Sequence, residues 1–295
     1  MAAPGSVVLQ WAIDAWMPGA TVVNVRDLHE GQGPWLVEVS SGGAVHRSVL
    51  RTAGLGAKGD DYLLVEAAAL SQVESSAVSA PRLIAMDDGH RCGVVTSLQT
   101  VVAGDTVASQ PWNEERLHAV GAYLAEIHRI AADPAPTLPE RQRPLEPGGG
   151  YTAEKRECAE HPSQRSREGA RLLAAGAREL ADRPRPDNIR CLVHGDAWLG
   201  NIMASGSQVT GLIDWGCAGV GHPGIDLGHA RLSAVFSYGA EAADAILDGW
   251  EQAAGRPADA MPYWDAVAAL ETAPAMGAGT DIRDAFLHRA LAKLR

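Results

Sequence analysis

Cationic side chains are in short supply in this chain of 295 residues: 25 Lys and Arg stand against 36 Asp and Glu, a formal net charge of −11. Nucleic-acid binders need a basic face to replace phosphate counterions, so the balance argues against a nucleic-acid partner. It is compatible with a cationic small molecule, although acidity is also common among soluble proteins. Cysteine is scarce as well: Cys92, Cys158, Cys191 and Cys217 are widely separated and form neither a CxxC pair nor a Cys/His ligand pattern. That spacing speaks against a disulfide framework or a zinc knuckle and for free thiols in a reducing compartment. No apolar run approaches the ~18 residues of a bilayer-spanning helix, so no membrane partner is expected. The opening MAAPGSVVLQWAIDAWMPG lacks a basic stretch and carries Asp14 within its apolar part, which makes a poor signal peptide. A cytoplasmic location is the expectation. Internal repeats and low-complexity tracts are missing too.

What is present is ordinary globular material, 46% hydrophobic and 21% charged, long enough for one large domain or two lobes. Residues 6–18 place Val8, Leu9, Ala12, Ile13 and Trp16 at helical spacing and stop before Pro18-Gly19. Strand patterns follow at 21–25, 35–39, 46–51, 81–85 and 92–98, with turns at Ser40–Gly43 and Asp87–His90. The loop His29–Gly33 has glycines that could lie over phosphates, but it is not GxGxxG and alone is a weak signal. Asp60–Val73 reads as a helix, and Glu66 lies amid its apolar residues. Such a carboxylate is either a solvated rim residue or a buried group with a partner, for which Arg51 at a strand end is the natural candidate.

Around residues 97–105 the pattern changes from strands to helices, which sets an N-terminal lobe at 1–98 and a C-terminal lobe at 99–295. Trp112–Ile130 is a helix with Leu117, Val120, Gly121, Leu124, Ile127 and His128 on one side. Residues 133–150 hold five prolines and a Gly triplet and form an irregular connector. Tyr151–Arg183 is helical and charged, broken at His161-Pro162, and further helices run roughly over 226–236, 239–254, 261–275 and 280–294.

The chemistry is concentrated in CLVHGDAWLGNIMASGSQVTGLIDWG, residues 191–216. His194-Gly195-Asp196 follows an apolar run and leads, five residues after Asp196, to Asn201; Asp214-Trp215-Gly216 follows a second run. Between them lie two short strands around the turn Ala204–Ser207, a hairpin that would present Asp196, Asn201 and Asp214 toward one pocket. Two carboxylates and an amide, all oxygen donors, suit a hard divalent cation such as Mg²⁺ better than zinc.

In this order along the chain, these residues resemble the aminoglycoside phosphotransferase family of the protein-kinase-like superfamily. HGDxxxxN is similar to the catalytic loop, and Ile213-Asp214-Trp215-Gly216 stands where protein kinases have DFG. The resemblance implies a two-lobed α+β fold with a small antiparallel-sheet N-lobe and a larger, mostly helical C-lobe. It also implies an ATP-dependent transfer of the γ-phosphate to a hydroxyl, with GTP not excluded as donor. Asp196 would be the catalytic base, Asn201 and Asp214 the Mg²⁺ ligands, and Arg51, Glu66 and the hinge-like Ser97-Leu98 the nucleotide-binding residues. Arg51 stands where many kinases carry Lys; Lys58 is nearby, but among glycines that read as a loop. His194 reads as loop support, and Asp226 as a structural carboxylate at a helix start. Gly221-His222-Pro223 departs from the family's Gly-Asp-Pro by its histidine.

An aminoglycoside-type antibiotic is the first candidate for the acceptor, because residues 221–295 hold ten Asp/Glu against six Lys/Arg. Asp265, Glu271, Asp281 and Asp284 are the candidate carboxylates, and Trp198 and Trp264 either stack on a sugar ring or pack. A metabolic or macrolide hydroxyl kinase on the same scaffold is the alternative, since fold does not fix substrate. A non-catalytic nucleotide-binding protein is the third reading, opposed by the intact set Asp196, Asn201 and Asp214.

Overall fold

The computed structural model describes residues 3–28, 33–53, 59–141, 167–186, 189–272 and 280–295. Lys58, most of the His29–Gly33 loop, most of the proline-rich connector and the first part of the expected helix at 151–183 lie outside the described residues.

The N-terminal lobe is a five-stranded antiparallel sheet in the order β1-β2-β3-β5-β4. Its strands are β1 (Thr21–Asp27), β2 (Trp35–Ser41), β3 (Ala44–Thr52), β4 (Leu83–Asp88) and β5 (Val95–Thr100). β2 alternates as a half-buried strand should: Trp35, Val37 and Val39 point into the core while their neighbours do not. Helix α1 (Ser6–Trp16) covers that apolar face with Val8, Trp11, Ala12 and Ile13. The β2–β3 hairpin closes through Gly42 and Gly43, both at positive φ (59° and 80°), the conformation that a tight two-residue turn demands. Helix α2 (Gly59–Glu74) lies against β4 and β5.

After β5 the chain passes through residues 101–104 into β6 (Asp105–Thr106), which pairs with the C-terminal lobe strand β8 (Ile202–Ser205) rather than with the first sheet. Helix α3 (Glu114–Ile127) starts on Asn113, whose side chain accepts from the Arg116 N–H, and buries Leu117, Val120 and Leu124. It is shorter than the sequence pattern suggests, because Asn113 caps it and the chain turns after His128. The remaining helices are α4 (Arg167–Ala181), α5 (Gly224–Tyr238), α6 (Ala240–Ala254), α7 (Met261–Glu271) and α8 (Thr280–Leu294). The fold is thus two-lobed α+β, with an antiparallel-sheet N-lobe and a helical C-lobe. Two short β structures position the chemistry between the lobes: β7 (Cys191–Val193) pairs with β10 (Gly219–Gly221), and β8 forms a hairpin with β9 (Gln208–Leu212). α3 and α6 cross so closely that a Cβ on Gly121 would stand 2.0 Å from the Ile246 carbonyl oxygen, and one on Gly249 2.1 Å from that of His118.

Candidate active site

Arg51, near the end of β3, uses both terminal nitrogens, one within its own lobe and one across to the other. Nη1 donates to Oε1 of Glu66 and Nη2 to Oδ1 of Asp214, each at 2.6 Å. Of the two sequence readings for Glu66, the buried, partnered one holds: the residue is fully buried and accepts from Gln99 Nε2 (2.7 Å) and the Trp215 N–H (3.2 Å) as well. Burial pushes the Glu66 carboxyl above the usual carboxylate range, while Arg51 pulls against it. Asp214 also feels burial, but the charge and hydrogen bond of Arg51 outweigh it and hold its carboxyl below the ordinary value. Its backbone is left-handed (φ 70°, ψ 56°), a conformation rare outside glycine.

The catalytic-loop residues are held from behind. Asp226, on the first turn of α5, is fully buried and accepts from the His194 and Gly195 N–H groups, both at 2.8 Å. His128 Nε2 reaches the same carboxylate at 3.1 Å. Trp250 donates its indole N–H to His128 Nδ1 (2.9 Å), so Nδ1 is an acceptor and Nε2–H is the donor to Asp226. Burial raises the Asp226 carboxyl, but His128 and the loop N–H groups overcome it, and its pKa falls below the usual range. A Cβ at Gly195 (φ 79°) would lie 2.1 Å from the Cys217 carbonyl oxygen, so only glycine passes there. His194 is fully buried with its ring edge-on to Trp215 (4.8 Å), and its Nε2–H donates to the Ile213 carbonyl (3.0 Å). Nδ1 is then left to accept from the Asp196 N–H (3.3 Å), which makes His194 a staple between the catalytic loop and the Asp214 segment.

Asn201 donates through Nδ2 to the Asp196 carbonyl (2.9 Å) and to Asp196 Oδ2 (3.3 Å), which leaves its amide oxygen for another ligand. The Ile213 N–H donates to the Asn201 carbonyl (2.9 Å), so Asn201 and Asp214 stand together at the open end of the β8–β9 hairpin. Arg51, Glu66, Asp196, Asn201 and Asp214 therefore form one connected site.

Other expected site residues are placed differently. Ser97 and Leu98 lie inside β5 with a strand paired on each side, so their backbone is engaged in the sheet; the strand-free connector is at 101–103. Asp265 is buried and makes a two-pronged ion pair with Arg231 (2.9 and 3.0 Å), and Glu271 is buried against His229 Nε2 (2.8 Å). Neither stands as a free carboxylate for a cationic substrate. A cavity of about 220 Å³ beside Asp265 is lined by three cations (Arg231, Arg289, Lys293) and three carboxylates (Glu241, Asp244, Asp265), which cancel. Asp284 is engaged by Arg283, and Asp281 is exposed at the start of α8. Trp264 is buried and stacked on His222 (centroids 4.9 Å apart), so it packs; Trp198 is 39% exposed on the catalytic loop and covers Gly200. Tyr62, Gln99, His128 and Trp250 went unassigned in the sequence. Only Tyr62, one helical turn before Glu66, and His128, on the apolar side of its helix, left a spacing that could have found them.

A paired basic residue reaching across two lobes, with a carboxylate and an amide at the hairpin mouth, defines a phosphoryl-transfer cleft. The phosphotransferase enzyme family (APH) matches residues 24–270, and the chain belongs to that family. It is a phosphotransferase. No curated protein sequence matches it significantly. Among solved structures it is similar to the macrolide 2'-phosphotransferase MphH from Brachybacterium faecium, 18% identical over 97% of this chain and 96% of that one, with a TM-score of 0.60. It is also similar to the amicoumacin kinase hAmiN in complex with AMP-PNP, Ca²⁺ and Ami: 15% identity, 99% and 93% of the chains, TM-score 0.64. The GDP and kanamycin complex of APH(2")-IIia gives 17% identity, 97% and 96%, and a TM-score of 0.64.

Proposed function

We propose that the protein transfers the γ-phosphate of ATP to a hydroxyl of a small molecule, with an aminoglycoside-type antibiotic as first candidate and resistance to it as the role. The observation that carries this reading is the meeting of the hydrogen-bonded set Arg51, Glu66 and Asp214 with the pair Asp196 and Asn201, through the Ile213 N–H that donates to the Asn201 carbonyl. The donor set fits Mg²⁺: among the described residues no three His, Cys, Asp or Glu side chains form a metal cage, but one carboxylate and one amide oxygen are what Mg²⁺ takes when phosphates complete its shell. Asn201 and Asp214 would hold it, and when bound it would neutralise charge on the phosphates.

The chain's own residues do the rest. Asp196 accepts the hydrogen bond of the acceptor hydroxyl, orients its oxygen in line with the γ-phosphorus, and takes the proton as the new O–P bond forms and the bond from the γ-phosphorus to the β,γ-bridging oxygen breaks, with ADP as the leaving group. Asn201 holds Asp196 in place through Nδ2. Arg51 neutralises developing charge on phosphate oxygens while Glu66 fixes its direction. The thiols of Cys92 and Cys191, which form no disulfide, suit the reducing cytoplasm, where ATP is available and where we place the reaction. The internal pairing of Asp265 and Glu271 favours a second reading, a metabolic or macrolide hydroxyl kinase, because two of the carboxylates a polycation would want are already engaged.

The test is an ATP-consumption screen over aminoglycosides, macrolides, peptide antibiotics and small hydroxylated metabolites, repeated with GTP. Turnover on an aminoglycoside supports the first reading, and turnover confined to another class selects the second. Mg-ATP binding without turnover on any acceptor would overturn both.

A further inference from the structure

Tyr62 stands on α2 one turn before Glu66, and the i, i+4 spacing puts both side chains on one helix face. Its hydroxyl donates to Asp214 Oδ1 at 3.0 Å, the same oxygen that accepts from Arg51 at 2.6 Å. Its ring lies against Gly216: a Cβ at that glycine would be 2.1 Å from the ring's Cε1. The Arg51 guanidinium carbon sits 5.8 Å from the ring centroid. Three contacts thus seat Tyr62 where the Asp214 segment begins. Asp214 needs such a seat, since a non-glycine residue held at φ 70° carries backbone strain that its surroundings must offset. Oδ1 takes both donors, and among the described residues no hydrogen bond reaches Oδ2.

We propose that Tyr62 is a positioning residue for the metal-holding carboxylate: with Arg51 it fixes Oδ1, so that Oδ2 is the oxygen presented to the cation. This rests on the assignment of Asp214 as a divalent-cation ligand. The hydroxyl has a duty Arg51 cannot discharge alone. When phosphates enter, Arg51 must divide its donors among Glu66, Asp214 and a phosphate oxygen. The neutral Tyr62 donor has no attraction of comparable strength toward the phosphates and stays on Oδ1. A neutral hydrogen bond also orients the carboxylate without cancelling the charge that attracts the cation, as a second guanidinium would.

Tyr62→Phe tests this, because it keeps the ring on Gly216 and removes only the hydroxyl. Calorimetric titration of AMP-PNP at a series of Mg²⁺ concentrations reads the Mg²⁺ needed for half-maximal nucleotide binding. The requirement is expected to rise roughly three- to tenfold in the variant, the loss of one hydrogen bond. Nucleotide binding in EDTA should stay as in the wild type. In an Asp214→Asn background the same substitution should add no further change, which separates coupling to Asp214 from a general disturbance of α2. A Mg²⁺ requirement that is unchanged or lower in Tyr62→Phe overturns the role of Tyr62 alone. Wild-type nucleotide binding that ignores Mg²⁺ overturns the assignment of Asp214 beneath it, and the two failures are distinguishable.

Discussion

His128 and Asp226, 98 residues apart in the chain, meet at 3.1 Å behind the catalytic loop, and that meeting completes the set of donors around the one buried carboxylate that holds the loop. The His194 and Gly195 N–H groups are the others, at 2.8 Å each. Trp250 fixes the histidine tautomer, so the order runs from α6 through α3 to α5 and then to the loop carrying Asp196. The loop's shape is therefore set by helix packing.

Asp226→Asn replaces a carboxylate that accepts three hydrogen bonds with an amide that has one acceptor oxygen. Each buried donor left unpaired costs about 1–3 kcal/mol, so the variant should unfold at clearly lower urea than the wild type at pH 7. The gap should depend on pH with a definite sign. The folded Asp226 carboxyl lies below its ordinary value, so its contribution is fully present above the unfolded carboxylate pKa of about 3.9 and is lost as pH falls through the folded value. Glu66 and Asp265 are shifted upward by burial and act the opposite way, but they are common to both proteins and cancel in the difference. Urea midpoints at pH 7 and in the acid range should show the two proteins converging as pH drops. A gap that is constant or widens in acid would remove the charge of Asp226 from the account.

Asp196→Asn leaves the loop's backbone support untouched, because Asp226 and His194 hold the main chain and not the Asp196 side chain. Nucleotide affinity by calorimetry should stay within a factor of about three, since the hydroxyl-orienting group belongs to the acceptor side of the reaction. Turnover on any acceptor found by screening should fall by about 10²-fold or more, the usual weight of a general base. Wild-type-like turnover would move the proton acceptor elsewhere.

The chemistry was legible in the sequence where residues lie close together in the chain. The catalytic loop and the Asp214 segment are separated by one hairpin, so their alternation and turn residues already bring Asp196, Asn201 and Asp214 to one mouth. Glu66 was legible only as a question, because a carboxylate on an apolar helix face has two outcomes and the deciding partners, Arg51, Gln99 and the Trp215 N–H, come from three distant segments. The pairing of the α7 carboxylates was not legible for the same reason. Composition counts charges, but it cannot say that Arg231 lies two-pronged on Asp265 or that His229 faces Glu271. Ser97 and Leu98 were placed by analogy of position, whereas pairing on both sides of β5 places the chain's departure from the sheet a few residues later.

The close crossing of α3 and α6 makes a prediction about stability alone. Gly121→Ala sets a methyl group 2.0 Å from the Ile246 carbonyl oxygen and 2.6 Å from the Trp250 N–H, both backbone atoms that cannot turn aside. The helices must separate, at about 1–3 kcal/mol for overpacking, offset in part by the better helix propensity of alanine. Melting should occur several degrees lower, at about 2–4 °C per kcal/mol for a chain of this size. Because Trp250 orients His128, a displacement of α6 should also loosen the catalytic loop, and kcat should fall more than nucleotide affinity. A Gly121→Ala protein with unchanged melting would mean that the crossing is looser than its geometry.

Asp265 distinguishes a structural carboxylate from a substrate-binding one. Arg231 is 4% exposed and Asp265 8%, so Asp265→Ala strands a buried guanidinium that, among the described residues, keeps the Ala243 carbonyl at 2.6 Å and a distant Asp244 at 3.8 Å. Removing one partner of such a pair typically costs about 3–5 kcal/mol, whereas replacing both by apolar residues is close to neutral. Asp265→Ala should therefore lower the urea midpoint strongly, and Arg231→Met with Asp265→Leu should recover much of the loss. KM for the accepted substrate, measured at a temperature where the variant is fully folded, should stay near the wild-type value. The opposite pattern, a raised KM with stability intact, would return Asp265 to the substrate and would require Arg231 to release it on binding. The two-pronged geometry makes release costly, because the guanidinium would give up two charge-assisted bonds at once while still enclosed by α5, α6 and α7.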